Sequence, residues 1–245
     1  KAVIASPGVI PERLKFINTS GICMLEGSKA LSAVINQNST FISTDVASNS
    51  LISPLSEMAD FKISLAIDHH RLNSLVCERL LIEETASSTG EVIVELCMVL
   101  EAMTGKNLFS YNVSFALYSA ISSDSGCFKY SNTGAKTHKF ASYLLENEIP
   151  AHEINYNLFD KKSKIQIEVE KLAYKNIEYF FDEKLCLIYI SKSELDSIGA
   201  TNNDTETVVQ IARSIEGVQI GIFMYEKEPN LFKLSVRTGT DGDMS

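Results

Sequence analysis

The sequence has no Cys-x-x-Cys pair. Its five cysteines, Cys23, Cys77, Cys97, Cys127 and Cys186, are scattered and odd in number. That argues against a disulfide framework and a structural zinc site, and reads as reduced core thiols in a cytoplasmic protein. No apolar run approaches the roughly 18 residues of a membrane helix. The stretch Lys1-Ala2-Val3-Ile4-Ala5 is too short for the apolar part of a signal peptide. Basic residues are in deficit: 22 Lys and Arg against 31 Asp and Glu, a formal net charge of -9. Such a surface repels phosphate backbones and argues against long-duplex nucleic-acid binding. A small anionic substrate remains compatible with it if metal ions supply the positive charge. Internal repeats and low-complexity tracts are also missing.

The 245 residues are 45% hydrophobic, enough for one large domain or two modest ones with a real core. The first half alternates short apolar strands with amphipathic helices, which predicts an α/β fold with a parallel sheet. Strands are expected at Lys1–Ser6, Thr40–Thr44 and Ile63–Ile67. Helices are expected at Gly27–Asn36, Pro54–Phe61, Glu91–Met103, Tyr111–Ser122 and Thr137–Asn147. A charged helix over Lys161–Tyr174 precedes a change of texture. Strands at Leu185–Ile190, Val218–Tyr225 and Leu231–Arg237, with a helix at Asp204–Glu216, predict a smaller C-terminal α/β domain. Glu226–Asn230 reads as a charged turn.

The chemistry-bearing pattern is Asp68-His69-His70-Arg71 directly after the buried run Ile63–Ile67. A strand that empties into a carboxylate and two imidazoles matches a divalent-metal phosphoesterase site. Asp45 ends the preceding strand, and its spacing from Asp68 fits one strand–helix–strand crossover. Both then reach the sheet edge where α/β proteins bind ligands. Asp124 ends a helical stretch. Carboxylate and imidazole ligands suit Mn2+, with Mg2+ possible. Two ions about 3.5–4 Å apart activate a bridging water and clamp a phosphoryl group. A lone Asp would more simply be a helix cap; the Asp-His-His run with a second strand-end Asp favours the site. His138 and His152 have no companions at metal-ligand spacing and read as surface histidines.

These segments resemble the DHH phosphoesterases. Ser43-Thr44-Asp45 is similar to the second motif of that family, Ala66–Arg71 to the third, and Ala86–Glu91 to the Thr-x-Glu helix start that follows. Ser123–Phe128 with Ser131-Asn132-Thr133 is similar to the fourth motif. The Asp-Ser-Gly-x-Phe run, the Leu234-Ser235-Val236-Arg237 stretch, the Lys164–Tyr174 helix and the Gly199–Glu206 segment most resemble the nanoRNase/pAp-phosphatase, RecJ-like branch. The resemblance implies a parallel-sheet catalytic domain over residues 1–160, a connecting helix over 161–178 and a DHH-associated substrate-binding domain over 179–245. It implies that Asp45 bridges two metals, that His69 binds one and Asp124 the other, and that Asp68 completes the cluster or orients His69. His70 would face the scissile phosphate. Arg71, Ser235 and Arg237 would bind substrate. The implied activity is Mn2+-dependent hydrolysis of short oligonucleotides or 3'-phosphorylated nucleotides in the cytoplasm, and a homodimer is plausible in such a family.

The family's first motif, His-x-Asp-x-Asp, and its C-terminal Gly-Gly-Gly-His loop have no counterpart between Lys1 and Ser245. The expectation is therefore that these residues supply only part of a two-metal ligand set and, alone, hold little metal. Cys127 stands where the family often has Arg. Two other readings stay open: a cyclic-dinucleotide phosphodiesterase with the same metals, and a non-catalytic nucleotide-binding protein that keeps the fold.

Overall fold

The computed structural model describes residues 3–6, 10–17, 23–26, 39–56 and 62–238. The chain divides into two compact units, Lys1–Lys161 and Lys162–Ser245.

In the first unit, β1 (Val3–Ser6) and β2 (Cys23–Glu26) form a two-stranded parallel sheet. β3 (Phe41–Thr44), β4 (Ile63–Asp68) and β5 (Leu80–Ile82) form a second parallel sheet with β4 in the middle. Ile63, Ala66, Ile67 and Asp68 of β4 are all buried, the continuous burial of a strand covered on both faces. Thr44 pairs with Ile67, and the Asp45 N–H donates to the Ile67 carbonyl at 3.0 Å. The expected crossover is present, and Asp45 and Asp68 leave the same sheet edge. Its helix, α1 (Asn49–Ser56), begins earlier than Pro54. Local bonds favour that start: Leu51 N–H donates to the Ser48 carbonyl, and the Asn49 side chain accepts from Val76 N–H. The helix expected at Gly27–Asn36, and residues 57–61 of the Pro54–Phe61 helix, lie outside the described residues.

Helices α2 (Thr89–Thr104) and α3 (Tyr111–Asp124) follow. Ser88 caps α2 by accepting from Glu91 N–H. Gly105, at φ 67°, ends it by donating to the Glu101 carbonyl. The two helices touch at Gly90, where a Cβ would lie 2.9 Å from Ala120 Cβ. That close approach requires glycine. α4 (Ala135–Leu145) starts before the expected Thr137 because Gly134 N–H donates to the Thr137 hydroxyl. The short α5 (Ala151–Asn155) continues into a wide turn over Tyr156–Asp160. Val94, Phe109, Leu117, Ile121, Leu144 and Ile154 make the core between these helices. Burying each such side chain contributes about 1.5–3 kcal/mol.

In the second unit, α6 (Lys164–Lys175) begins at a reciprocal Ser163–Gln166 capping box. A four-stranded mixed sheet has the order β6 (Ile177–Phe180), β7 (Leu185–Ile190), β8 (Ile220–Glu228) and β9 (Leu231–Thr238). β7 and β8 are parallel, and the outer pairs are antiparallel. α7 (Lys192–Ser197) follows β7. The helix expected over Asp204–Glu216 is broken into a 3-10 turn at Asn202–Thr205 and α8 (Val208–Arg213). Asp204 accepts from both the N–H and the hydroxyl of Thr201, a capping box that starts the 3-10 turn. Val169, Ala173, Cys186, Ile188, Ile190, Val208 and Phe223 form the core of this unit. Among the described residues, no helix is long and apolar enough to cross a membrane.

Candidate metal centre

Three side-chain-bearing ends meet at the edge of the β3-β4-β5 sheet: the exit of β3, the exit of β4 and the last residue of α3. Asp45 lies just past β3 in the left-handed backbone region, at φ 61°. Asp is one of the few side chains that accept this conformation, at a cost of about 1–3 kcal/mol. Asp68, His69 and His70 run off β4. Ligand atoms of Asp45, Asp68, His69 and His70 lie within 4.8 Å of one another. Asp124 reaches the same point from α3, with Oδ2 at 3.8 Å from His69 Nε2.

The two imidazoles are held differently. His69 Nδ1 lies 3.2 Å from the Ala86 carbonyl, which can only accept, so Nδ1 donates there and Nε2 is the ring atom that faces the carboxylates. That Nε2 lies 3.7 Å from Asp45 Oδ1 and 3.8 Å from Asp124 Oδ2. Both distances are too long for a hydrogen bond. Both are shorter than twice a typical metal–ligand distance, about 4.2 Å. Each carboxylate is thus spaced from the His69 nitrogen as two ligands of one divalent cation would be.

The Asp68 carboxylate is wholly buried and reaches the His70 ring rather than the His69 ring. Its Oδ1 accepts from His69 N–H at 2.7 Å, His70 N–H at 3.2 Å and His70 Nδ1 at 2.7 Å. Its Oδ2 accepts from Asn73 Nδ2 at 2.6 Å. Asp68 is therefore saturated with donors, which suits an orienting carboxylate better than a metal ligand.

No protein-family model matches the chain. An exopolyphosphatase-related protein from Bacteroides fragilis superposes with a TM-score of 0.83 at 20% identity, covering 96% of this chain and 69% of that one. The two chains therefore share a fold. A provisionally assigned family II inorganic pyrophosphatase of Methanococcus jannaschii shares the fold with a TM-score of 0.53 and 20% identity, over 96% of this chain and 78% of that one. Among curated proteins, the bifunctional oligoribonuclease and PAP phosphatase NrnA of Bacillus subtilis (strain 168) is 24% identical over 167 residues. That match covers 68% of this chain and 52% of NrnA, so the chain spans about half the length of this curated relative.

The electrostatics of the DHH segment follow from this packing. Burial alone pushes the Asp68 carboxyl up. The hydrogen bonds from the His70 ring, the His69 and His70 N–H groups and Asn73 outweigh it and hold Asp68 below the usual carboxylate range. The His70 ring is raised above the usual imidazole value by its bond to Asp68, against the opposing effect of burial. Asp124 is pushed up to about 6, first by burial and then by the negative charge of Asp45, with both histidines pulling the other way.

Arg71 is exposed beside Leu72, itself 91% exposed. Ser235 and Arg237 stand two residues apart on β9 of the second unit, opposite Phe223 and Gly221, and Arg237 Nη1 bonds the Val236 carbonyl. His138 is exposed and stacks on Phe128 at 5.4 Å; His152 is exposed. Three further residues shape the site without a signal in their spacing. Asn73 links Asp68 to the Val46 carbonyl just past Asp45. Asn132 donates to the carbonyls of both Ser87 and Asp124. Thr89 donates to Asp45 at 2.8 Å. Thr89 and Asn132 fall inside motif-like segments, and only the fold shows what their side chains reach.

Proposed function

We propose that this chain is the DHH part of a metal-dependent phosphoesterase acting on small nucleotide phosphates. The observation that carries the reading is His69, held by Nδ1 to the Ala86 carbonyl with Nε2 at 3.7 Å from Asp45 and 3.8 Å from Asp124. His69, Asp45 and Asp124 would hold a divalent cation, with Asp45 positioned to share an oxygen with a second. Carboxylate plus imidazole favours Mn2+, and Mg2+ is the alternative ion. When bound, such a cation lowers the pKa of a water and polarises a phosphoryl oxygen.

The chain's own side chains supply the rest. Asp68 holds His70 by Nδ1, which leaves His70 Nε2 free to hold a proton against a phosphate oxygen or the leaving oxygen. Arg71 supplies charge to a substrate phosphate. Residues 1–160 form the catalytic part, 161–178 the connection and 179–245 the substrate-binding part. There, Ser235 and Arg237, on one face of β9, grip the terminal phosphate or base. Short oligonucleotides and 3'-phosphoadenosine 5'-phosphate-like nucleotides are the substrates of choice. The net charge of -9 disfavours a long-strand track, and the NrnA relative is named for both activities.

The test is hydrolysis of a dinucleotide, a 3'-phosphorylated nucleotide and a cyclic dinucleotide with Mn2+ and with chelator. Release of mononucleotide or phosphate only with metal is the expected result, abolished by Asp45→Ala and by His69→Ala. Unchanged turnover in either variant refutes the assignment, and turnover of the cyclic substrate alone moves the specificity to cyclic dinucleotides.

A further inference from the structure

Thr89 is the first residue of α2 and is almost fully buried. Its hydroxyl oxygen lies 2.8 Å from Asp45 Oδ1 and 3.5 Å from Asp68 Oδ1. A hydroxyl has one proton to give. Asp68 already accepts from two backbone N–H groups, the His70 ring and Asn73. Asp45 has much less to hold it. Its other neighbours, His69 Nε2 at 3.7 Å and His70 Nδ1 at 3.8 Å, lie beyond hydrogen-bond distance. Among the described residues, Thr89 supplies the hydrogen bond on the Asp45 side chain. That side chain is about half exposed and springs from a left-handed backbone, so neither packing nor ordinary backbone geometry restrains it.

We propose that Thr89 is a positioning residue, whose hydroxyl turns the Asp45 carboxylate toward His69 and Asp124 and holds it there before any cation arrives. Three features make the arrangement effective. Thr89 sits on a 16-residue helix anchored by its own cap, so its hydroxyl is fixed in space. The bond uses one lone pair of Oδ1 and leaves the others on Asp45 free for ligation. The donor also places partial positive charge beside a carboxylate that faces two others, which reduces their mutual repulsion in the metal-free site. Asp45 would otherwise sample several rotamers, and each binding event would carry the entropy of fixing one. This inference rests on the metal-centre reading above.

The discriminating variants are Thr89→Val, which keeps the shape and removes the hydroxyl, and Thr89→Ser, which keeps the hydroxyl and removes the methyl. The readouts are Mn2+ affinity by titration calorimetry without substrate, thermal midpoint, and KM separately from kcat. Thr89→Val should weaken Mn2+ binding about tenfold, the low end of the effect of removing a partner that orients a ligand. Thr89→Ser should stay within about twofold of the parent, and neither change should alter KM in proportion. Equal Mn2+ affinity in parent and Thr89→Val overturns the positioning role while leaving the metal centre standing. An equal loss in both variants assigns the effect to the methyl and the helix start, and also overturns it. A partial ligand set still binds weakly, so a parent chain that binds no Mn2+ even at a large excess of the ion overturns the metal centre itself, and the role of Thr89 with it.

Discussion

The Asp68 carboxylate accepts a hydrogen bond from His70 Nδ1 at 2.7 Å, although the two residues are only two positions apart on the same strand exit. The bond fixes the His70 tautomer. With the bonds from His69 N–H, His70 N–H and Asn73, it also turns the chain sharply at the end of β4.

Asp68→Asn should therefore act mainly through geometry. An amide presents N–H where the structure has donors, leaving at least one buried polar group unpaired, a cost of about 1–3 kcal/mol. Urea denaturation should show that loss. Turnover should fall, while Mn2+ affinity should change less than in His69→Ala. An Mn2+ affinity lost as completely as in His69→Ala would make Asp68 a ligand.

Metal should stabilise the chain by mass action, because only the folded site gathers the ligands. The thermal midpoint should rise with added Mn2+ and return with chelator. His69→Ala and Asp124→Asn should show no rise at the same concentrations. A shift that persists in both variants would place the ion elsewhere.

Gly90→Ala should loosen the α2–α3 contact. Its new Cβ would meet Ala120 Cβ at 2.9 Å, closer than carbon atoms tolerate. Overpacking of this kind costs about 1–3 kcal/mol, and a lowered thermal midpoint measures it. Gly90→Ala combined with Ala120→Gly should recover most of the loss.

Glu194 gives a pH dependence of known sign. Its carboxylate is held below the usual range by the Ser191 N–H first, then by Asn176 and the Ser191 hydroxyl. A folded pKa below the unfolded value means that the stabilisation is present above 4.5 and is lost as the pH falls through the folded pKa. Glu194→Gln should lower the urea midpoint near neutrality and reduce its fall on acidification. A parallel fall in both proteins would assign the acid sensitivity to other carboxylates.

Much of the first unit was readable before any coordinates. The run Ile63–Ile67 is apolar but for Ser64 because β4 is covered on both faces. Val92 and Val94 are buried on α2 and Leu96 is partly so, whereas Val99 and Leu100 are exposed. The spacing of Asp45 and Asp68 predicted two parallel neighbours, and the register from Ile42 to Thr44 shows them. Of the short elements, β1 and β3, at four residues each, were expected, while β2, β5, β6 and the six-residue α7 were not. The break between Asn202–Thr205 and α8 falls at Glu206–Thr207, inside a stretch whose hydrophobic pattern reads as one helix.

For the candidate site, the sequence by itself picked out the residues: a carboxylate and two imidazoles at the tip of a buried strand, with Asp45 and Asp124 at two other element ends. The tertiary structure decided their contacts. It directed Asp68 to His70, gave His69 Nδ1 to the Ala86 carbonyl, brought Asp124 within 3.8 Å of His69, and set Thr89 against Asp45. These are contacts between groups up to 55 positions apart in the chain, set by strand register and helix packing. A hydrogen bond is won or lost within a few tenths of an ångström, and only the folded backbone fixes distances that finely.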